Sequence, residues 1–371
     1  MKEVTCAICK SKMKRNGFTS SGRQRWKCLK CGSSKVHTND VSTRELKAFV
    51  NWLLSRERHR DKKGQGRTFR RHTKPFWEIW PIPIPTGEVH KVIYVDGTKV
   101  GDYQLLIACT DEYVLNWIIA ESENKTTWMN LIQDIPAPEM VVCDGGSGFK
   151  SAAELIWPGT RIQRCIFHIS SNIRKAAKRR PITLAARELL DLRVDLVKVR
   201  TLHDASVWVE DFYNWAYFWN DLLDDVSYVK GKREYTFKEI RTVRDSLDRL
   251  IRQKMLFTYL DPKLCRGEKL PSTNNRIEGG VNAQIKEMLR LHRGMSTIRR
   301  IKACYWWCYM HSECPLSAPE LLKRMPRDCD IDILKNKYRT ESNDTGAPDE
   351  WGTGVQWNEF HSPVEYPYRY E

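Results

Sequence analysis

HKVIYVDGTKVGDYQLLIACTDEYVLNWIIAES, residues 90–122, holds the clearest pattern in the chain. Three apolar runs, HKVIYVDGTKV, YQLLIACTDEY and VLNWIIAES, are split by short polar turns. Each is rich in β-branched and aromatic residues and short enough for a strand, so the stretch predicts three consecutive antiparallel strands. Downstream, KTTWMNLIQDI reads as a helix capped by Asn124 or a neighbour. EMVVCDGGSG reads as a buried strand that ends on an acid and glycines. FKSAAELIW then reads as a helix and RIQRCIFHI as a further strand.

Three strands followed by helix, strand, helix and strand is the element order of a ribonuclease H-like fold, an α/β sheet with mixed strand directions. The core is expected to begin at residues 86–170 and to resume at 271–312. Between them, LAARELLDLRVDLVKV, ASVWVEDFYNWAYFWNDLL and FKEIRTVRDSLDRLIRQK predict an all-helical insertion over 171–270, rich in tryptophan. Trp208, Trp215 and Trp219 recur at helical spacing as a core stripe, or expose one ring to stack on a flipped base. Residues 313–371 form a C-terminal tail with no clear period.

Upstream, VSTRELKAFVNWLL carries Leu46, Phe49, Val50 and Leu53 at helical spacing. Gly64 and Gly66 break the chain before a basic segment, TFRRHTK. Helix, glycine turn and basic helix predict a helix-turn-helix over 41–85, closed by a stiff linker with prolines at 81, 83 and 85. Arg67, Arg70, Arg71 and Lys74 on the second helix are its candidate DNA contacts.

Charge is distributed unevenly. Residues 1–80 carry 21 Lys and Arg against 6 Asp and Glu, whereas the remaining 291 carry 41 against 40. A basic module followed by a near-neutral one is the electrostatic footprint of DNA binding. The chain lacks an apolar run near the ~20 residues that span a bilayer, and it opens without a secretory signal's apolar core. A cytoplasmic protein, associated with the bacterial nucleoid and with no membrane partner, is expected.

Twelve cysteines in a long lysine-rich chain point to reduced thiols and metal ligands rather than disulfides. Cys6-Ala7-Ile8-Cys9 and Cys28-Leu29-Lys30-Cys31 are two Cys-x-x-Cys pairs 18 residues apart. Four thiolates complete a closed tetrahedral shell for one structural Zn2+, which predicts a zinc ribbon over residues 1–40.

Asp96 follows the apolar run Val92-Ile93-Tyr94-Val95, and Asp144 follows Met140-Val141-Val142-Cys143. Both are expected at the C-terminal ends of buried strands. If these strands are neighbours, two like charges meet and call for a cation between them. Oxygen ligands of this kind suit Mg2+ or Mn2+. Glu278, in STNNRIEGGVNAQIKEMLR, is the candidate third ligand. Asn282 and Lys286 follow at steps of four, so one helical face can present a carboxylate, an amide and a cation to DNA.

These residues resemble the Asp-Asp-Glu (DDE) transposases of bacterial insertion sequences, in the Mutator-like branch that carries an N-terminal zinc ribbon. The resemblance spans most of the chain: the cysteine pairs, VDGT at Asp96, CDGG at Asp144, NNRIEGGVN at Glu278, and Cys165-Ile166-Phe167-His168, which resembles the family's Cys-x-x-His motif. It implies catalysis by Asp96, Asp144 and Glu278 with two Mg2+ (or Mn2+) ions, cleavage at the transposon ends, and strand transfer into target DNA. It also implies a homodimer or higher oligomer working on terminal inverted repeats. Gly279 and Gly280 depart from the bulkier residues of many relatives and weaken a helix there.

Cys165 and His168 read as a buried thiol and a hydrogen-bonded imidazole, or as accessory residues of the site. A bolder pairing joins them with Cys304 and Cys308 as a second zinc site. Arg174 and Lys175 follow closely as a possible DNA-backbone contact. Two other functions share these features: a DNA-binding regulator with an inactive core, and a ribonuclease H-like nuclease without strand transfer.

Overall fold

The computed structural model describes residues 4–6, 11–36, 41–178, 181–229 and 231–333. The chain divides into two compact units. One is Met1–Phe76 with Ser317–Arg324, and the other is Trp77–Leu316 with Met325–Glu371.

In the first unit, β1 (Met13–Phe18), β2 (Gln24–Cys28) and β3 (Ser34–Val36) form an antiparallel sheet in that order. Its core is Cys6, Met13 and Cys28, flanked by Val4 and Trp26. So few buried side chains do not hold a fold on their own, which makes the cysteines important. Helix α1 (Val41–Leu54) buries Leu46, Phe49, Val50 and Leu53, the stripe that its spacing predicts. Trp52 joins them and stacks on His59, with ring centroids 4.2 Å apart. Two short 3-10 turns lead to α2 (Arg67–Thr73). The N-cap of α2 is Gly66 at φ +74°, and a Cβ there would sit 2.5 Å from the His59 carbonyl oxygen. A side chain at this position would break the turn.

The second unit is a mixed α/β structure. β4 (Val92–Val100), β5 (Tyr103–Cys109) and β6 (Val114–Ala120) are antiparallel, while β7 (Met140–Cys143) and β8 (Arg161–Arg164) run parallel to β4. The sheet order is β6-β5-β4-β7-β8. Helices α3 (Lys125–Ile132) and α4 (Ser147–Ile156) supply Trp128, Leu131, Ile132, Phe149 and Ala152 to one core. Ile93, Val95, Leu106, Ile118, Val141 and Cys143 meet them from the strands. Asn124 caps α3, its side chain accepting from Thr127 N at 3.0 Å.

RIQRCIFHI is a strand only as far as Arg164. Helix α5 (Ile166–Ala177) begins two residues later, because Ile166, Ile169, Ile173 and Ala177 are buried at helical rather than alternate spacing. Helices α6 (Leu184–Leu196), α7 (Leu202–Phe218), α8 (Asn220–Asp224) and α9 (Lys238–Arg252) follow. Trp208 and Trp215 are buried, and their indole N–H groups donate to the Leu192 and Ala185 carbonyls at 2.8 and 3.0 Å. Trp219 is half-buried and donates to Glu188. Among the aromatic rings that face solvent here are Tyr217, Phe218 and Tyr228.

The insertion is not all-helical. β9 (Val226–Val229) and β10 (Lys232–Tyr235) form an antiparallel hairpin in which Val229 pairs with Lys232. Gly231 at φ +75° allows the tight two-residue connection, and the valines and tyrosines on either side favour extended backbone.

After α10 (Pro262–Cys265), the chain forms a π-helical turn, Arg276–Asn282, and then α11 (Ala283–Leu291) and α12 (Thr297–Met310). The buried ring of Tyr305 on α12 meets Trp117 of β6 edge-on. Lys302 is buried, donates to the Trp77 carbonyl at 2.6 Å and pairs with Asp328. Among the described residues no helix is long and apolar enough to cross a membrane.

Candidate active site

The parallel register of β4 and β7 brings the two aspartates together. Val92 pairs with Met140, Ile93 with Val141 and Tyr94 with Val142. The same offset sets Asp96 level with Asp144, two residues past the last pair, on strands spaced by about 4.8 Å. Side chains alternate along each strand, so both carboxylates point away from the face covered by α3 and α4. Asp96 does not end its strand, as the sequence reading expects. β4 continues to Val100, held by pairing with β5.

Glu278 arrives on the π-helical turn. Its segment is pinned by Asn274, whose Nδ2 donates to the Val95 carbonyl at 3.0 Å and whose N–H donates to Cys165 Sγ at 3.2 Å. The Ile166 N–H donates to the Ser272 carbonyl at 3.0 Å. These bonds place Glu278 beside the first turn of α5. His168 Nδ1 and Glu278 Oε1 are 3.0 Å apart, and the Cys165, His168 and Glu278 ligand atoms lie within 4.8 Å of one another. Cys304 and Cys308 are buried in α12 and join no such group among the described residues.

Asn282, assigned to DNA by sequence, is 2% exposed. Its Nδ2 donates to Asp96 Oδ2 at 2.7 Å, so the amide orients the carboxylate. Lys286, one turn on, is exposed. Arg174 and Lys175 are exposed in the last turn of α5. Arg67, Arg70, Arg71 and Lys74 are exposed in the first unit.

Two further charged residues lie beside the aspartates. Arg164, at the end of β8, donates to the Asp144 carbonyl at 2.6 Å. Its guanidinium occupies the space where a Cβ on Gly145 would lie. Glu123, between β6 and α3, sits with its carboxylate over Gly97. It lies in a polar connection with no periodicity, so only the two Asp-Gly steps hinted at close packing there.

The electrostatics are those of crowded acids. Burial, then the charges of Asp144 and Glu278, push the Asp96 carboxyl up to about 8. Partial burial and the charge of Asp144 raise Glu123. Among the described residues no lysine or arginine forms an ion pair with Asp96, Glu123, Asp144 or Glu278. Glu278 Oε1 and His168 Nδ1 are buried facing each other, and Asn282 Oδ1 is buried without a hydrogen-bond partner. Hard carboxylate oxygens with no paired lysine or arginine among the described residues are of the kind that suits Mg2+ or Mn2+.

A raised carboxyl pKa favours the fold below the unfolded value near 3.8, and that advantage is lost as pH rises through about 8. Without metal, Asp96→Asn is therefore expected to stabilise the protein, by up to a few kcal/mol near neutral pH. The gain should grow from pH 5 to pH 8 in thermal melts with chelator. An equal gain at both pH values would show that charge is not the cause.

In the first unit, Cys6 Sγ and Cys31 Sγ are 3.5 Å apart, and Cys28 completes a group within 4.8 Å. Thiolates around one tetrahedral zinc are roughly 3.8 Å apart, so the spacing fits. The Cys6 and Cys28 N–H groups donate to the Ser11 and Ser33 carbonyls, both at 2.8 Å, so the two loops share one hydrogen-bond pattern five residues on. Cys9 lies outside the described residues.

Residues 109–293 match the family described as "Transposase, Mutator family". The chain belongs to this family. The matched segment contains Glu123, Asp144, Cys165, His168 and Glu278, and Asp96 precedes it. Curated relatives agree. A transposase for insertion sequence element IS6120 of Mycolicibacterium smegmatis is 31% identical over 97 residues, 24% of this chain and 28% of that one. A transposase for insertion sequence element IS905 of Lactococcus lactis is 35% identical over 71 residues, 18% of each chain. A probable insertion sequence transposase of Corynebacterium diphtheriae is 30% identical over 89 residues, 21% of this chain and 25% of that one. The chain thus spans about a quarter or less of the length of the curated relatives it matches.

Proposed function

We propose that this member of the Mutator family is an insertion-sequence transposase that cleaves DNA at the element's terminal inverted repeats and joins the ends to target DNA. What supports this reading is that Asp96 and Asp144 are level on neighbouring strands and that the charge of Glu278 reaches Asp96, with no lysine or arginine paired to the three among the described residues. The sheet order, three antiparallel strands followed by two parallel to the first, supports a ribonuclease H-like core interrupted by the helical and hairpin insertion.

In this reading Asp96, Asp144 and Glu278 hold two divalent ions, Mg2+ or Mn2+. When bound, the ions supply charge stabilisation for the attacking and leaving oxygens. Asn282 fixes the rotamer of Asp96, and His168 faces Glu278 from α5. Arg164 anchors the backbone of Asp144, so the carboxylates meet the metals with little reorganisation. Cleavage is attack of a water oxygen on phosphorus. The bond from phosphorus to the 3′ oxygen breaks, leaving a 3′-hydroxyl and a 5′-phosphate. Strand transfer repeats the displacement with that 3′-hydroxyl as nucleophile on a target phosphodiester, which releases a target 3′-hydroxyl.

The basic first unit fits DNA-end binding. Cys6, Cys9, Cys28 and Cys31 would hold one structural zinc in a ribbon, and α1 with α2 would act as a helix-turn-helix. Arg67, Arg70, Arg71 and Lys74, with Arg174, Lys175 and Lys286 in the second unit, would contact phosphates. The domain division given above, assembly as a homodimer or larger oligomer on DNA, and a cytoplasmic, nucleoid-associated location complete the proposal.

The test is incubation with candidate end DNA, a target plasmid and Mg2+. Joined products that disappear with Asp96→Ala are expected. Binding with no cleavage would favour a regulator, and cleavage with no joining a nuclease.

A further inference from the structure

Cys165, His168 and Glu278 bring three chemically different donors to one point beside the start of α5. Cys165 is the N-cap of that helix and His168 is its third residue. Side chains at these two positions meet over the first helical turn, which is what the Cys-x-x-His spacing provides. Glu278 comes from the π-helical turn, carried to α5 by the bonds of Asn274 and Ser272. The thiol sulfur, an imidazole nitrogen and a carboxylate oxygen all lie within 4.8 Å of one another.

Hydrogen bonding within the group does not account for this convergence. His168 Nδ1 and Glu278 Oε1 are 3.0 Å apart, yet they lack the alignment of a hydrogen bond, and neither atom has another such partner among the described residues. A nitrogen and an oxygen bound to one tetrahedral ion stand roughly 3.3 Å apart, so the spacing is that of shared ligands. The Asn274 N–H donates to Cys165 Sγ at 3.2 Å and fixes the sulfur. Cys165 is fully buried, while the His168 and Glu278 side chains keep 31% and 26% exposure, so an ion reaches the sulfur past the imidazole and the carboxylate. Thiolate and imidazole are not donors that Mg2+ selects. Together with a carboxylate they suit Zn2+, three protein ligands leaving a fourth position for water. Cys304 and Cys308 join no such group among the described residues, so a carboxylate and not a second pair of thiols completes the set.

We propose that Cys165, His168 and Glu278 form a binding site for Zn2+ or a similar borderline divalent ion. It is distinct from the zinc proposed at Cys6, Cys9, Cys28 and Cys31, and it overlaps the proposed Mg2+ ligands at Glu278 alone. Binding exchanges the thiol proton for the ion and releases that proton to solvent. The site stands on its own donors, whereas its consequence for activity rests on the proposed transposase reading. Zn2+ that holds Glu278 removes one of the three carboxylates that would hold Mg2+. Zn2+ binds nitrogen and sulfur donors far more tightly than Mg2+ does, so it competes at low concentration. It is therefore an inhibitor of Mg2+-dependent cleavage, acting through the shared glutamate.

The experiment is Co2+ titration of the zinc-loaded full chain, followed by absorption, with wild type, Cys165→Ser, His168→Ala and Cys304→Ala compared. Circular dichroism and melting temperature check that each variant folds. Wild type is expected to take up one equivalent of Co2+ with a thiolate-to-cobalt charge-transfer band. Cys165→Ser should lose that band, His168→Ala should bind roughly tenfold or more weakly, and Cys304→Ala should match wild type. A wild type without the band, or a band that survives in Cys165→Ser, would overturn the site. A band lost only in Cys304→Ala would assign the sulfur to α12 and overturn it equally. In parallel, Zn2+ is added to Mg2+-dependent cleavage of end DNA. Half-inhibition should need roughly tenfold more Zn2+ in Cys165→Ser than in wild type. Equal inhibition of both chains would overturn the competition through Glu278. Absence of cleavage by wild type with Mg2+ or Mn2+ would count against the transposase reading, while the Co2+ band would still uphold the site.

Discussion

Asp144→Asn is expected to lower Mg2+-dependent cleavage of end DNA about a thousandfold, corresponding to several kcal/mol of lost transition-state stabilisation, while leaving DNA binding intact. Asparagine matches aspartate in shape and keeps an acceptor for the Gly146 N–H, which is 3.3 Å from Asp144 Oδ1. Arg164 grips the Asp144 carbonyl and not its side chain, so the backbone stays in place. Only the charge is removed, and with it one of the carboxylates that would hold the proposed metal ions. Single-turnover cleavage, together with a gel-shift titration on the same DNA, separates the two effects. Equal loss of cleavage and of binding would mean that Asp144 acts in recognition or folding, and would count against the proposed mechanism.

The second large effect concerns the other unit. Strong chelation, or Cys28→Ser, is expected to release about one zinc per chain and unfold the sheet of residues 11–36. Structural zinc in small domains contributes roughly 10–16 kcal/mol of apparent binding energy, far more than a three-residue core can replace. Cys28 is fully buried between Cys6 and Met13, so its loss removes a ligand and opens the core. Zinc content, amide dispersion and end-DNA affinity should fall together. Mn2+ affinity at the acid cluster, whose residues all belong to the second unit, should not. Retention of zinc and DNA affinity in Cys28→Ser would end the ribbon proposal.

The strands were legible because each is a short apolar run bounded by polar turns. The same signal placed Asp96 and Asp144 after buried strands and left open whether those strands are neighbours, which the β4–β7 pairing decides. It did not show that β4 runs on past Gly97, because an Asp-Gly step ordinarily marks a turn and here marks a close approach. RIQRCIFHI was ambiguous for a physical reason: a short apolar run suits a strand or a buried helical turn equally, and tertiary packing decides. The hairpin at 226–235 was hidden among helices, although Gly231 and the alternating tyrosines and valines were its cues. Glu123 was invisible because nothing in ESENKTT distinguishes a site residue from a polar connection. Its closeness to Asp96 shows only in the carboxylate lying over Gly97. Asn282 was read as part of the constellation, but spacing along a helix does not reveal its burial or its bond to Asp96.

The π-helical turn has a consequence for the whole cluster. Wide turns of this kind are intrinsically less stable than α-helix and recur where function demands an irregular backbone. Here the turn contains Gly279 and Gly280, which add conformational freedom at the same place. Asp96 and Asp144 rest on the central strands of the sheet, where opening is rarest, while Glu278 rides on the least regular element in its vicinity. The cluster therefore has a fixed jaw and a yielding jaw, and whatever enters or leaves it has one natural side from which to do so.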